Sequence, residues 1–331
     1  MGTESPHVQE DARRTQGLIE VETSSESLDA VRLNFEGGGL WVLNVIIGLI
    51  MFGVALDLRV GDFIRIFRQP KGPMIGFLNQ FILLPAVSFL LTLILRPSPS
   101  VALGMILIAA CPGGNLSNFL TALSKGNAAM SVTITAVSTV FAVFFTPFNL
   151  ALWGSLNPET AKILTAIEMD TTDLIQTILI ILGVPTAIGM AFGYLFPAVA
   201  KRLTKPFKIF SILAFLTFVA IAFSKNVDVF RNYIHWVLLA VFLQNAIALA
   251  IGYYTAYLSG LGEADRRAIA IEVGIQNSAL GLVLVFRYFD GLGGMALVAA
   301  WWGIWHSLFG LAVAMFWARR PPQVAPEVSQ A

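Results

Sequence analysis

The chain has 331 residues, of which 56% are hydrophobic and only 12% charged, and its formal net charge is +1. Soluble domains run about 45–50% apolar and about 25% charged, so a water-soluble globular enzyme and a disordered chain are both excluded. The balance of charge leaves no bulk basicity to recruit nucleic acid, and the single cysteine, Cys111, excludes an intramolecular disulfide framework or a cysteine-based zinc site.

Residues 1–36 are polar and hold eight of the twenty acidic residues against three arginines. They lack the apolar core of a signal peptide and are too acidic for a transit peptide. The expectation is a disordered tail outside the membrane, extracellular or periplasmic. From residue 37 onward the chain turns apolar. A membrane helix needs about 20 mostly apolar residues, and nine stretches qualify: 40–57, 73–95, 101–124, 127–153, 173–196, 209–224, 236–258, 268–287 and 293–317. The sixth is short. Strand-like alternation is absent, which argues against a β-barrel. Residues 319–331 form a short tail containing proline.

If the nine stretches alternate across the membrane, 13 of the 21 Lys and Arg residues fall on one side. They include Arg59, Arg65, Arg68 and Lys71 in one loop and Lys201, Arg202, Lys205 and Lys208 in another, with Arg266, Arg267, Arg319 and Arg320 further on. By the positive-inside rule, the C-terminus is expected in the cytoplasm and the N-terminus outside. The expected location is a plasma or inner membrane.

Within the spans, Glu272 is the exception to a nearly charge-free interior. An acid at mid-bilayer costs about 2.5–3.5 kcal/mol on insertion scales, so it is expected to face a cavity or an ion; the alternative is a protonated Glu bonded to a neighbouring helix. Its surroundings read Glu272-Val273-Gly274-Ile275-Gln276-Asn277-Ser278, a sequence poorly suited to lipid and well suited to a broken helix. Exposed carbonyls of such a break need a partner other than lipid, and a hard cation such as sodium fits. A second interruption, Pro112-Gly113-Gly114-Asn115-Leu116-Ser117-Asn118, divides the third stretch, since Pro gives no amide proton and paired Gly disfavours helix. Gln80 in the second stretch has a loose counterpart in Gln244-Asn245 of the seventh. Matching interrupted helices are the mark of an inverted-repeat transporter. Half-helix N-termini attract an anionic substrate, and unwound carbonyls attract the coupling cation.

Cys-Pro-Gly-Gly-Asn-Leu-Ser-Asn at 111–118 and Glu-Val-Gly-Ile-Gln-Asn-Ser at 272–278 give the chain a resemblance to the bile acid:sodium symporter family. Met51-Phe52-Gly53, Gln80-Phe81 with Pro85, and Trp305-His306 extend it over roughly 40–318. The resemblance implies an all-α polytopic membrane protein of about nine transmembrane helices, the arrangement of the family's animal members. It implies a transporter unit over 37–318, with a core at about 73–153 and 236–317 and a panel at about 40–57 and 173–224 that moves relative to it. It implies two sodium ions as coupling ions and no organic cofactor. By matching positions, the first sodium site uses Ser117, Asn118, Ser131, Thr135 and Glu272. The second uses Gln80, Glu272, Gln276 and the carbonyls of Val273 and Ile275. The implied substrate is an organic anion, such as a bile salt, a steroid conjugate or a small carboxylate like pantoate, near Asn115, Asn277 and His306. Some relatives carry Thr where Asn115 stands.

Several readings stay beside this one. Ser131 and Thr135 share a helix face, yet such hydroxyls also bond the preceding carbonyl. His306 also fits a packing role. Cys111 at a break allows a metalloid exporter of the same fold. An intramembrane enzyme is disfavoured because only one acid lies deep in the spans. A passive channel is a further alternative.

Overall fold

The computed structural model describes residues 28–33, 45–46, 48–53, 55–56, 58–59, 61, 68–114, 116–167, 171–225 and 227–322. Among them the regular structure is helical, and β-type pairing is confined to two isolated bridges, Arg32 with Leu292 and Gly113 with Gln276. The helices in chain order are α1 (Lys71–Leu95), α2 (Pro99–Ala110), α3 (Leu116–Leu123), α4 (Ala128–Leu156), α5 (Pro158–Ala166), α6 (Thr171–Ile178 through Val184–Leu195), α7 (Pro197–Lys225), α8 (Val227–Leu258), α9 (Glu263–Gly274), α10 (Ser278–Tyr288) and α11 (Gly293–Ala318). Five helical stretches among the described residues are long and apolar enough to cross a bilayer: α1, α4, Ile175–Leu195, Tyr233–Leu258 and α11. Large apolar side chains face outward along them, including Ile94, Phe144, Ile180 and Leu258. The protein is an all-α integral membrane protein.

Helices α1 and α6 each contain one π-helical turn, Asn79–Leu83 and Leu179–Gly183. Each turn is followed, one residue on, by a proline, Pro85 or Pro185. A proline inside a helix leaves the carbonyl four residues earlier without its amide partner and crowds it, and a π turn relieves both problems. In α1 the freed carbonyl is that of Phe81, and Asn149 Nδ2 of α4 donates to it at 3.1 Å. The same π turn carries Gln80 inward, where it is fully buried.

Helix α2 is buried on every side from Val101 to Ala110, as expected of a helix apolar all round. Its close neighbour is α11. A Cβ on Gly104 would lie 2.8 Å from Met295 Cα, so the small residue lets the two backbones approach. Short α2 and α9 are therefore interior elements, enclosed by the longer helices.

Two expectations change in detail. The short sixth stretch, 209–224, belongs to the longer α7. The disorder expected for 1–36 does not extend to 28–33, which lie folded against the start of α11. Asp29 Oδ1 accepts the Ser100 amide at 2.8 Å and so caps α2; the Leu33 amide donates to Gly291 O and the Gly293 amide to Val31 O, both at 2.9 Å. Leu28 and Leu33 are buried. These two leucines supply what composition alone concealed. Part of the 40–57 stretch, including residues 40–44, and the tail beyond residue 322 lie outside the described residues.

Crossed helix breaks around Glu272

Helix α2 ends where Cys111 turns extended, and the chain resumes as a helix at Leu116. Helix α9 ends where Ile275 turns extended, and the chain resumes at Ser278. The two breaks lie across one another and pair. The Gly114 amide donates to Ile275 O at 2.7 Å, and the Asn277 amide donates to Pro112 O at 2.8 Å, flanking the Gly113–Gln276 bridge. Backbone groups that unwinding would strand in the bilayer thus satisfy each other. The closeness of the crossing explains the Gly-Gly pair. A Cβ on Gly114 would lie 2.9 Å from Gln276 O, and one on Gly113 would collide with Glu272 Oε1.

Glu272 is fully buried one turn before the second break. Three hydroxyls donate to its carboxylate: Ser117 to Oε2 at 2.6 Å, Ser131 to Oε2 at 2.9 Å and Thr135 to Oε1 at 2.6 Å. Thr135 Oγ1 also lies 3.3 Å from Asn118 Oδ1 and 3.0 Å from Ser131 O. The Thr135 hydroxyl thus meets both the preceding-turn carbonyl and the acid. A separate group forms where α1 meets the second break. Gln80 Nε2 donates to Cys111 O at 2.7 Å and to Gln276 Oε1 at 2.8 Å, while Gln276 Nε2 donates to Val273 O at 2.6 Å. Ile275 O is taken by Gly114, as above.

The structure thus brings Ser117, Asn118, Ser131, Thr135 and Glu272 into one group, and Gln80, Val273 and Gln276 into another. The carboxylate hydrogen bonds of Glu272 all go to the first group, and the peptide chain links it to the second. Asn277 accepts the Leu280 amide at 3.1 Å and so caps α10; its Nδ2 lies 3.8 Å from Met51 Sδ. His306 is buried, its Nδ1 has no partner among the described residues, and its ring is edge-on to Trp302. Asn115 lies outside the described residues. Sequence reasoning did not single out Thr121, which donates to Ser131 Oγ at 3.3 Å behind the first group. A buried hydroxyl one turn beyond Ser117 was the available signal. It also gave Arg267 only a topological role. That side chain is 4% exposed, pairs with Glu263 at 2.8 Å and donates to Ser124 O, Trp317 O and Arg320 O at 2.8, 3.1 and 2.7 Å, a cation placed on helix C-termini.

Carboxylate, hydroxyl, amide and backbone oxygens make an all-oxygen donor set, which suits a hard cation and not a thiol-seeking metal. The sequence pattern of the Sodium Bile acid symporter family matches residues 44–233. The chain is also 30% identical to the uncharacterized sodium-dependent transporter YocS of Bacillus subtilis, over 84% of this chain and 83% of that protein. The chain belongs to the sodium bile acid symporter family. Two further members are similar. The probable sodium/metabolite cotransporter BASS2, chloroplastic, of Oryza sativa is 32% identical over 83% of this chain and 63% of its own length. The human ileal sodium/bile acid cotransporter is 29% identical over 74% of this chain and 68% of its own. Members of the family are membrane transporters coupled to sodium.

Proposed function

We propose that this protein is a sodium-coupled symporter of an organic anion, working by alternating access. The observation that carries the reading is Glu272, buried at the crossing of two broken helices and held by three hydroxyls. A carboxylate taken out of water costs several kcal/mol, and hydrogen bonds to a charged group return about 1.5–3 kcal/mol each. Sodium arriving at this point would meet the carboxylate directly, and Ser117, Ser131 and Thr135 would turn lone pairs toward it, with Asn118 alongside. A second ion would use Gln80, Gln276 and the carbonyls of Val273 and Ile275, with Glu272 linking the two sites. The N-terminal end of α10, with Asn277, offers partial positive charge and amide donors to the substrate anion; Asn115 and His306 are the other proposed contacts. The substrate class is a bile-salt-like molecule, a steroid conjugate or a small carboxylate.

In this reading nine spans form two inverted halves. The core is about 73–153 and 236–317, the panel about 40–57 and 173–224, with the N-terminus outside and the C-terminus cytoplasmic. The metalloid-exporter alternative relies on Cys111. Its side chain is fully buried beside Gly281, and its carbonyl is held by Gln80, so the thiol has a packing role. The test is thermal stability of the purified protein in sodium against potassium at equal ionic strength, because a ligand of the folded state raises apparent stability. A sodium-selective rise, lost in Glu272→Gln, is expected. Equal melting in both salts refutes the sodium reading.

A further inference from the structure

Helix α8 carries two adjacent amides in an apolar stretch, Gln244 and Asn245, which are 1% and 0% exposed. Gln244 Nε2 donates to Met105 O at 2.8 Å and to Ser88 Oγ at 2.9 Å. Asn245 Nδ2 donates to Gly274 O at 2.6 Å. Gly274 is the last residue of α9, and α8 sits directly on it, with Leu249 one turn along where a Cβ on Gly274 would be. The acceptor oxygens of both amides, Gln244 Oε1 and Asn245 Oδ1, are buried without a partner among the described residues. A buried orphan acceptor opposes folding, and an apolar side chain of similar size would remove it. A local rule broken in an otherwise consistent core is the pattern of a functional position.

The other break has a related arrangement. Gln80 of α1 donates to the carbonyl of Cys111, the extended residue that follows α2. Each interior half-helix therefore has a carbonyl at its broken end gripped by an amide from a long helix: Gln80 holds Cys111, just after α2, and Asn245 holds Gly274, the last residue of α9. Gln80 also reaches Gln276; Asn245 reaches only the backbone.

We infer that Asn245 is the positioning residue of the second break. By holding Gly274 O it fixes the peptide planes on either side, and with them the directions of the Val273 and Ile275 carbonyls. It thereby sets the affinity of the second sodium site without touching the ion. This inference rests on the sodium reading above.

The test uses the full-length protein and variants Asn245→Leu and Asn245→Ser, melted across a sodium series at constant ionic strength with potassium as the balance. Asn245→Leu removes the donor and the orphan acceptor together. Because Gly274 O then loses its donor, the variant is expected to melt in potassium at or somewhat below the wild-type temperature, while needing about tenfold more sodium for half of the stabilisation. Asn245→Ser keeps a short donor and is expected to need about threefold more. A folded Asn245→Leu with wild-type sodium dependence overturns the inference while leaving the sodium reading intact. Should the Leu variant fail to fold, an unchanged sodium dependence in Asn245→Ser overturns it equally. Wild-type protein that melts identically in sodium and potassium overturns the sodium reading itself, and this inference with it.

Discussion

Gly113 and Glu272 touch across the crossing of the two breaks, so closely that Gly113 has no room for a Cβ beside the carboxylate. Gly113→Ala must therefore push Glu272 away from Thr135, which donates to the same oxygen at 2.6 Å. The expected result is folded protein of lower stability, by about 1–3 kcal/mol, with no sodium-selective rise in melting temperature. Thermal shift measurements in the two salts check both parts. A wild-type sodium rise in this variant contradicts the placement of the ion at Glu272.

Glu272→Gln keeps the shape of the side chain and removes its charge. The hydroxyls of Ser117 and Ser131 can still donate to the amide oxygen, and Thr135 can accept from the amide nitrogen, so stability in potassium should change by less than about 2 kcal/mol. Sodium-driven uptake of an anion should disappear. Gln276→Ala touches the other group and should raise the sodium concentration for half-maximal uptake without abolishing it. Uptake into proteoliposomes across a sodium series separates the two variants. Full activity of Glu272→Gln is the outcome that sinks the two-site scheme.

Transport should also respond to voltage. Two sodium ions moving with one monoanion carry a net charge of +1 inward, and each charge gains about 2.3 kcal/mol per 100 mV. An inside-negative potassium diffusion potential should accelerate uptake, and an inside-positive one should slow it. Uptake indifferent to potential would argue for an electroneutral stoichiometry.

Arg267 of α9 ties together the C-terminal ends of two helices, α3 through Ser124 O and α11 through Trp317 O and Arg320 O, and pairs with Glu263. Arg267→Met leaves those carbonyls without a donor and should lower stability by about 3–5 kcal/mol. Arg267→Lys should rescue little, because a point charge cannot reproduce a planar fork with several donors. Denaturation of the purified variants in potassium reads the effect without reference to transport.

The sequence showed the helical membrane class and both interruptions because their signals are local. A Pro-Gly-Gly run and an acid-amide cluster cannot sit in a continuous lipid-facing helix, and the structure ends α2 and α9 at those places. The pairing of the breaks was not legible, since nothing in either segment names the other. Nor was the role of Asn149, whose partner carbonyl at Phe81 is freed by Pro85, a residue on a different helix. Residues 28–33 were concealed by averaging, because a few buried apolar side chains are lost among many acids. Thr121 and Asn245 were visible as polar residues in apolar runs, but only distances reveal what each one holds.

Ser117 and Glu272 stand 155 residues apart in the chain, and this separation has a consequence for biogenesis. At a synthesis rate of about 5–20 residues per second, the first break must wait on the order of ten seconds for the second. During that interval the amide of Gly114 and the carbonyl of Pro112 face the bilayer interior or the insertion machinery with no backbone partner. The half-made transporter is thus its own most vulnerable form, and a chain stopped short of residue 272 should be retained by the insertase or handed to membrane proteases.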